Sequence, residues 1–324
     1  MIKIGPIEFP DFPFLLAPME DVSDPPFRRL CKMHGADLMY SEFISSEGLI
    51  RDAIKSRKKL DIFDHERPIG IQIFGGDEEA MSLSARIVET VNPDLVDINF
   101  GCPVKKVVCK GAGAGVLKDI PLMVKLAKAV VRSTHLPVTV KTRLGWDEQS
   151  INIDEVAERL QDVGIQALTV HARTRSQMYK GHSDWTHIAR IKNNPRIHIP
   201  IFGNGDINSP EKAKEYKETY GVDGIMIGRA AIGNPWIFEE IKQYLKTGEL
   251  LPKPSVQQRI EAVRKHAVWS VEWKGERAGI LEMRQHYSNY FKGLPNFREY
   301  KTQLFSALTL EELESVFKSL SELH

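Results

Sequence analysis

The residues with the most evident chemical potential lie in one short run, Asp97-Ile98-Asn99-Phe100-Gly101-Cys102-Pro103, followed by Lys105-Lys106 and the glycine-rich Gly111-Ala112-Gly113-Ala114-Gly115. A cysteine held between glycine and proline just past an apolar stretch is displayed on a rigid turn and not packed into a core. A free thiol has an ordinary pKa of about 8.5, so at neutral pH it is mostly protonated and can serve as a general acid. The other two cysteines differ. Cys31 falls within Phe27-Arg28-Arg29-Leu30-Cys31, a helical stretch where it reads as a small buried hydrophobe, and Cys109 lies in a loop with no evident partner. Lys141 and His171 each follow an apolar run and are placed to stabilise negative charge on a bound ring. In Phe202-Gly203-Asn204-Gly205-Asp206 and Ile227-Gly228-Arg229, glycines let backbone N–H groups approach an anion, with Arg229 as a charged donor. Glycine after a strand also serves tight turns, so this pair alone says only that some phosphorylated ligand binds.

These groups converge only if the chain brings strand ends together. Apolar runs bounded by turn residues predict eight strands, at residues 14–17, 38–40, 69–73, 95–98, 138–141, 167–170, 199–202 and 224–227. Amphipathic helices are expected between most of them, at 77–91, 121–133, 154–163 and 210–220, the last opening on Ser209-Pro210 as cap and first turn. Such alternation predicts a TIM (β/α)8 barrel, whose active site gathers where the strands end. In order those ends carry Pro18-Met19, Ser41-Glu42, Gln72, Asn99 with Cys102, Lys141 with Arg143, His171 with Arg173, Asn204 with Asp206, and Gly228-Arg229. Loops are polar in any protein, but polar groups at every strand end point to one shared mouth. The two glycine segments follow strands seven and eight, the usual phosphate site of this fold.

After a final barrel helix at 236–245, Gly248, Pro252 and Pro254 break the pattern. The rest is helical, so the expected domains are a barrel at 1–248 and a small all-α helical bundle at 249–324. The 324 residues suit one large domain plus a small one. No run approaches the ~20 apolar residues that span a bilayer, and the N-terminus lacks a signal-peptide pattern, so a cytoplasmic protein is expected. Three cysteines without a C-x-x-C pair predict neither disulfides nor a metal site. A net charge of +1 leaves any nucleic-acid contact to local patches such as Lys105, Lys106 and Lys110, or Arg173, Arg175 and Lys180. The helical region is only mildly basic.

Taken together, Ala17-Pro18-Met19, the Asn-x-Gly-Cys-Pro run at 99–103, Lys141-Thr142-Arg143, His171-Ala172-Arg173-Thr174-Arg175, Gly203-Asn204-Gly205-Asp206-Ile207 and Gly228-Arg229-Ala230-Ala231 resemble the bacterial tRNA-dihydrouridine synthases, in order and spacing the B-type branch. The resemblance implies FMN held through Pro18, Met19, Glu20, Gln72, Lys141, Asn204, Gly205, Asp206, Gly228 and Arg229, with His171 near the flavin and the flipped base. It implies Cys102 as proton donor, RNA contacts at Asn99, Lys105, Arg143, Arg173 and Arg175, and NADPH or NADH as reductant. A tRNA partner and a monomer are expected. Glu20 stands where many relatives carry alanine, and Arg284-Gln285-His286-Tyr287 stands where they carry a more basic run. The rival readings are an FMN barrel acting on a free small molecule, of the dihydroorotate or enoate type, and a barrel that only binds RNA. Basic clusters argue against the first, and Cys102, Lys141 and His171 against the second.

Overall fold

A computed structural model describes residues 1–323. Eight parallel strands form a ring, numbered here β1 (Phe14–Leu16), β2 (Met39–Tyr40), β3 (Ile69–Phe74), β4 (Leu95–Asn99), β5 (Val138–Arg143), β6 (Ala167–His171), β7 (Ile201–Asn204) and β8 (Gly224–Ile227). The hydrogen-bonded path runs from β1 through β8 and back down to β2. A bridge between Leu15 and Leu38, with the Leu16 N–H donating to the Leu38 carbonyl at 2.9 Å, closes it. The eight-stranded barrel and most of its helices lie where the apolar patterning puts them. Helix Pro210–Tyr220 begins as expected, the Ser209 hydroxyl accepting from the Lys212 N–H at 3.2 Å.

Two local features differ from what the sequence predicts. β7 begins two residues later than expected, because the Ile199 N–H is taken by the Gln161 side chain at 3.2 Å and the ladder starts only at Ile201. No element is predicted before residue 14, yet Ile2–Ile4 and Ile7–Phe9 form an antiparallel hairpin. Its Ile4 and Phe9 are buried against Leu15, Leu38, Leu95, Ala167 and Phe202, so the hairpin plugs the end of the barrel where strands begin. Three-residue strands carry too little alternation to stand out from sequence.

Strand register sets the chemically active residues level at the opposite end. Asn99 pairs with Lys141 across β4 and β5, and His171 pairs with Arg143 on one side and Asn204 on the other.

Beyond Gly248, four helices follow: Val256–Lys274, Glu276–Tyr290, Phe297–Ser306 and Leu310–Leu323. The first starts at a capping box, Ser255 and Gln258 exchanging side-chain to backbone bonds at 2.8 and 3.2 Å. The first two cross so closely that a Cβ on Gly279 would lie 2.7 Å from the Ser270 main chain, which only glycine permits. They bury Ile260, Val263, Ile280, Met283, Tyr287, Phe317 and Leu320 in a core of their own, which also takes in Leu30 and Trp236 from the barrel. Among the described residues no helix is long and apolar enough to cross a membrane.

The seam between the two regions is specific. Phe27, in the helix Pro25–Met33, stacks on both His266 and His286, with ring centroids 5.7 and 5.6 Å away. Asp24 caps that helix through the Phe27 N–H at 3.0 Å and also receives Lys274 Nζ at 2.5 Å. The Arg29 guanidinium lies 4.1 Å over Trp269. His286 and Tyr287 are therefore packing residues, and of the Arg284–Tyr287 run only Gln285 is exposed, donating to the Asp21 carbonyl.

Burial holds both seam imidazoles below the ordinary histidine range, with Lys274 lowering both further; His286 falls to about 4, despite the partly offsetting charge of Asp24. Histidines of the unfolded chain titrate near 6.5, so as pH falls below that value the unfolded state takes up protons that the folded state resists, and stability drops. His286 alone accounts for ~3 kcal/mol by pH 4. Thermal unfolding followed from pH 7.5 to 5 is expected to show this loss, and His286→Phe to lessen it. Identical pH dependence in the two proteins would remove His286 from the account.

Candidate active site at the barrel mouth

A chain of hydrogen bonds organises the mouth from inside the barrel. Asp97, on β4 and 1% exposed, accepts from Gln72 Nε2 on β3 and from Thr139 Oγ1 on β5, each at 2.5 Å. Gln72 Oε1 in turn accepts from Asn99 Nδ2 at 2.7 Å. Asn99 Oδ1 then accepts two backbone N–H groups, from Gly101 at 2.9 Å and Cys102 at 2.8 Å. The turn that carries Cys102 is thus fixed by side chains from two neighbouring strands. Burial pushes the Asp97 carboxyl up to about 6, partly offset by its two donors and by Lys141.

Cys102 is 6% exposed, and burial raises its thiol above the ordinary range, so it holds its proton at neutral pH. Cys31 is fully buried in its helix, as expected from the sequence, and Cys109 is exposed. Lys141 Nζ donates to Asn204 Oδ1 at 3.1 Å, and Asn204 Nδ2 donates to the Met226 carbonyl at 2.8 Å, linking β5, β7 and β8. Burial, and then the neighbouring Arg143 charge, lower the Lys141 ammonium to about 8.

His171 is held well below the usual histidine range, first by burial and then by Arg143, Lys141, Arg173 and Arg229 around it. It is neutral at pH 7, and its Nε2 is buried without a partner. Ser183 Oγ and Arg173 Nη1 are likewise buried and unpartnered. Both His171 and Ser183 border Gly205, whose φ of +132° suits glycine. Asp206 receives Arg173 Nη2 at 2.6 Å and the Ser183 N–H at 2.9 Å, and Arg229 lies 3.5 Å away. Although burial acts to raise it, these bonds hold the Asp206 carboxyl below its ordinary value. Pro18 and Met19 follow β1 beside Gly228, where a Cβ would rest 3.6 Å from Met19 Sδ.

The remaining candidates are spread out. Arg143 is buried and donates to the carbonyls of Gly101, Thr174 and Met178 at 2.8 to 3.0 Å. Arg173 is equally buried, and besides Asp206 it binds the carbonyls of Lys180 and Gly181. Both brace the loop after β6. Arg175 lies 4.5 Å over Trp146, which Lys118 also covers. Lys105 is exposed on the short helix Lys105–Val108. Glu20 is exposed, its side chain turned towards Asp21, Glu42 and Lys59.

Three groups do not stand out in the sequence. Tyr179, half exposed on the loop after β6, sits 5.1 Å from the Arg229 guanidinium and 5.6 Å from that of Arg143. Thr139 and Ser183 complete the networks around Asp97 and Asp206. A threonine inside a strand and a serine in a loop carry no signal until the fold shows what they face.

The carbonyl-rich, cation-rich mouth with spare donors around Gly205 suits an anionic, hydroxyl-bearing ligand with a flat ring. Residues 15–322 match the dihydrouridine synthase family. A probable tRNA-dihydrouridine synthase from Rickettsia bellii is 41% identical over 302 residues, covering 93% of this chain and 92% of that protein. tRNA-dihydrouridine synthase B from Pseudomonas aeruginosa is 41% identical over 303 residues, covering 94% and 90%. Among solved structures, morphinone reductase superposes with a TM-score of 0.55 at 13% identity, over 79% of this chain and 91% of that one. Histamine dehydrogenase from Rhizobium sp. 4-9 gives 0.59 at 10% identity, over 82% and 50%. Identities this low speak for the barrel alone. The family match spans nearly the whole chain and the relatives align over nine-tenths of their length, so the chain belongs to the dihydrouridine synthase family.

Proposed function

We propose that this mouth reduces the C5–C6 double bond of uridine in tRNA, with FMN as resident cofactor and NADPH or NADH as reductant. The observation that carries the reading is a protonated thiol on a braced turn, at the mouth of a barrel whose opposite side is built for a phosphorylated ligand. The relatives named for tRNA disfavour the free small-molecule alternative. FMN, once reduced by the nicotinamide, supplies a hydride to C6 of the uracil.

Around it, this chain's residues bind and orient. Gly205, Asp206, Gly228 and Arg229 hold the phosphate end, and the spare donors of Ser183 and Arg173 are available to the same ligand. Pro18, Met19, Glu20, Gln72 and Asn204 frame the ring through backbone and amide groups. Lys141 sets a positive charge beside the ring, and His171, neutral, offers Nε2 to cofactor or base. Cys102 gives its proton to C5, so hydride and proton together complete the two new C–H bonds and no metal is needed. Asn99 and Arg143 position that turn, and Lys105, Arg173 and Arg175 belong to the RNA side of the mouth. The base must leave its stack to reach this depth, a cost offset by contacts to the RNA backbone. We read the chain as a barrel at 1–248 and a tRNA-binding helical domain at 249–324, working as a monomer in the cytoplasm.

Cys102→Ala is expected to keep FMN and its reduction by nicotinamide while dihydrouridine formation falls by on the order of 10²–10⁴. Mass analysis of tRNA beside stopped-flow flavin reduction tests this; near-native modification would put the acid elsewhere.

Lys141→Met is expected to slow flavin reduction by about tenfold, equivalent to ~1.4 kcal/mol, or to weaken FMN retention. Unchanged flavin content and unchanged reduction kinetics would rule the role out.

Asp97→Asn offers one acceptor where two donors arrive, so the orientation of Gln72 and Asn99 is lost and the Cys102 turn loosens. Faster alkylation of Cys102, with slower dihydrouridine formation, is the expected pair of results. Native values for both would break the proposed link between Asp97 and the thiol.

A further inference from the structure

The mouth opens sideways into a groove of about 720 Å³ between the loops after β2 to β4 and the helices Val256–Lys274 and Glu276–Tyr290. It lies on the far side of the mouth from the glycines after β7 and β8, and Val104, two residues beyond Cys102, lines it. Its charges are sorted. On the floor, Glu20, Asp21 and Glu42 converge within 4.8 Å, and Lys59 is paired there, 2.5 Å from Glu20 and 3.7 Å from Glu42. Lys274, on the helical wall, is likewise occupied by Asp24 and Glu282.

The rim differs. Lys55, Lys58, Lys106 and Lys110 all line the groove and are exposed, and among the described residues none forms an ion pair with a carboxylate. The nearest organised contact is that of Lys58 with the Trp273 ring, 4.8 Å from its centroid, and Trp273 is itself anchored by its indole N–H on Asp61 at 2.8 Å. Four unneutralised ammonium groups along one edge repel one another, and that repulsion is relieved by a polyanion laid across them. The acidic floor keeps phosphates away from itself and so confines them to the rim. Lys105, expected from sequence to contact RNA, does not line this groove.

We propose that this rim is the track for the phosphodiester backbone of the RNA strand next to the flipped uridine, with Lys55, Lys58, Lys106 and Lys110 as its phosphate contacts. The inference rests on the tRNA reading above and adds where the strand runs. Two double variants test it, Lys55→Gln with Lys58→Gln and Lys106→Gln with Lys110→Gln. tRNA affinity is measured over a salt series, and flavin reduction by NADPH is measured over a range of NADPH concentrations. Each variant is expected to bind tRNA at least tenfold more weakly at low salt. The log–log salt dependence should become shallower by roughly 1.4 units, about 0.7 for each lysine that no longer neutralises a phosphate of a single strand. FMN content and the NADPH dependence should stay native. Native affinity and slope in both variants would overturn the track. So would a weakened NADPH dependence with unchanged tRNA binding, which would assign the lysines to the dinucleotide. Dihydrouridine made by the native protein, together with native salt slopes in the variants, removes the track and leaves the reaction standing. A native protein loaded with FMN that makes none takes both down.

Discussion

A carboxylate sealed inside a parallel barrel can only accept hydrogen bonds, and the arrangement of the mouth depends on that one restriction. Asp97 is ringed by donors, so the Gln72 amide must turn its NH2 inward and its oxygen towards Asn99. Asn99 then spends its own NH2 on Gln72 and has only its oxygen left for the turn, where it takes the N–H groups of Gly101 and Cys102. Two amides that could each face either way are thereby given one orientation. The direction of the relay is set by the element in it that cannot donate.

Positive charge is handled by the same logic of prior commitment. Arg143 and Arg173 are buried, yet their donors are directed at backbone carbonyls of the loops they brace. They contribute field without being free to collapse onto a ligand, and the consequence is felt at His171, which stays neutral among four cations. Lys141 is the exception, tethered only to an amide oxygen and so able to respond to what binds beside it. A site whose charges are fixed before its ligand arrives needs little reorganisation when charge moves.

Much of this was legible in the sequence because barrel strands are apolar runs and their ends are where polarity returns. The run from Asn99 to Pro103, the lysine after Val140 and the glycines after β7 and β8 all declare themselves by contrast with the strands before them. The N-terminal hairpin did not, since Ile2–Ile4 and Ile7–Phe9 are too short to show a period. Nor did the partners of Asp97, because Thr139 looks like any β-branched strand residue until its hydroxyl is seen to point inward. The lysine rim was half visible: Lys106 and Lys110 follow the cysteine run, whereas Lys55 and Lys58 join them only through the fold. In the Arg284–Tyr287 run the chemistry of the residue types misleads, since a histidine beside arginine suggests RNA and His286 instead stacks on Phe27.

The seam at Phe27 also bears on how the chain is made. The helix Pro25–Met33 is among the first segments to leave the ribosome, yet the rings that cover Phe27 come from His266 and His286, more than two hundred residues later. Leu30 waits for the same late helices. The β1–β2 unit therefore carries an uncovered aromatic and aliphatic face through most of synthesis. Contacts of such long sequence separation form late, and exposed apolar surface in the interval invites association with other chains. Completion of the barrel's first helix is in this sense an event of translation's end, and a nascent chain halted before the helical region is a client for a chaperone.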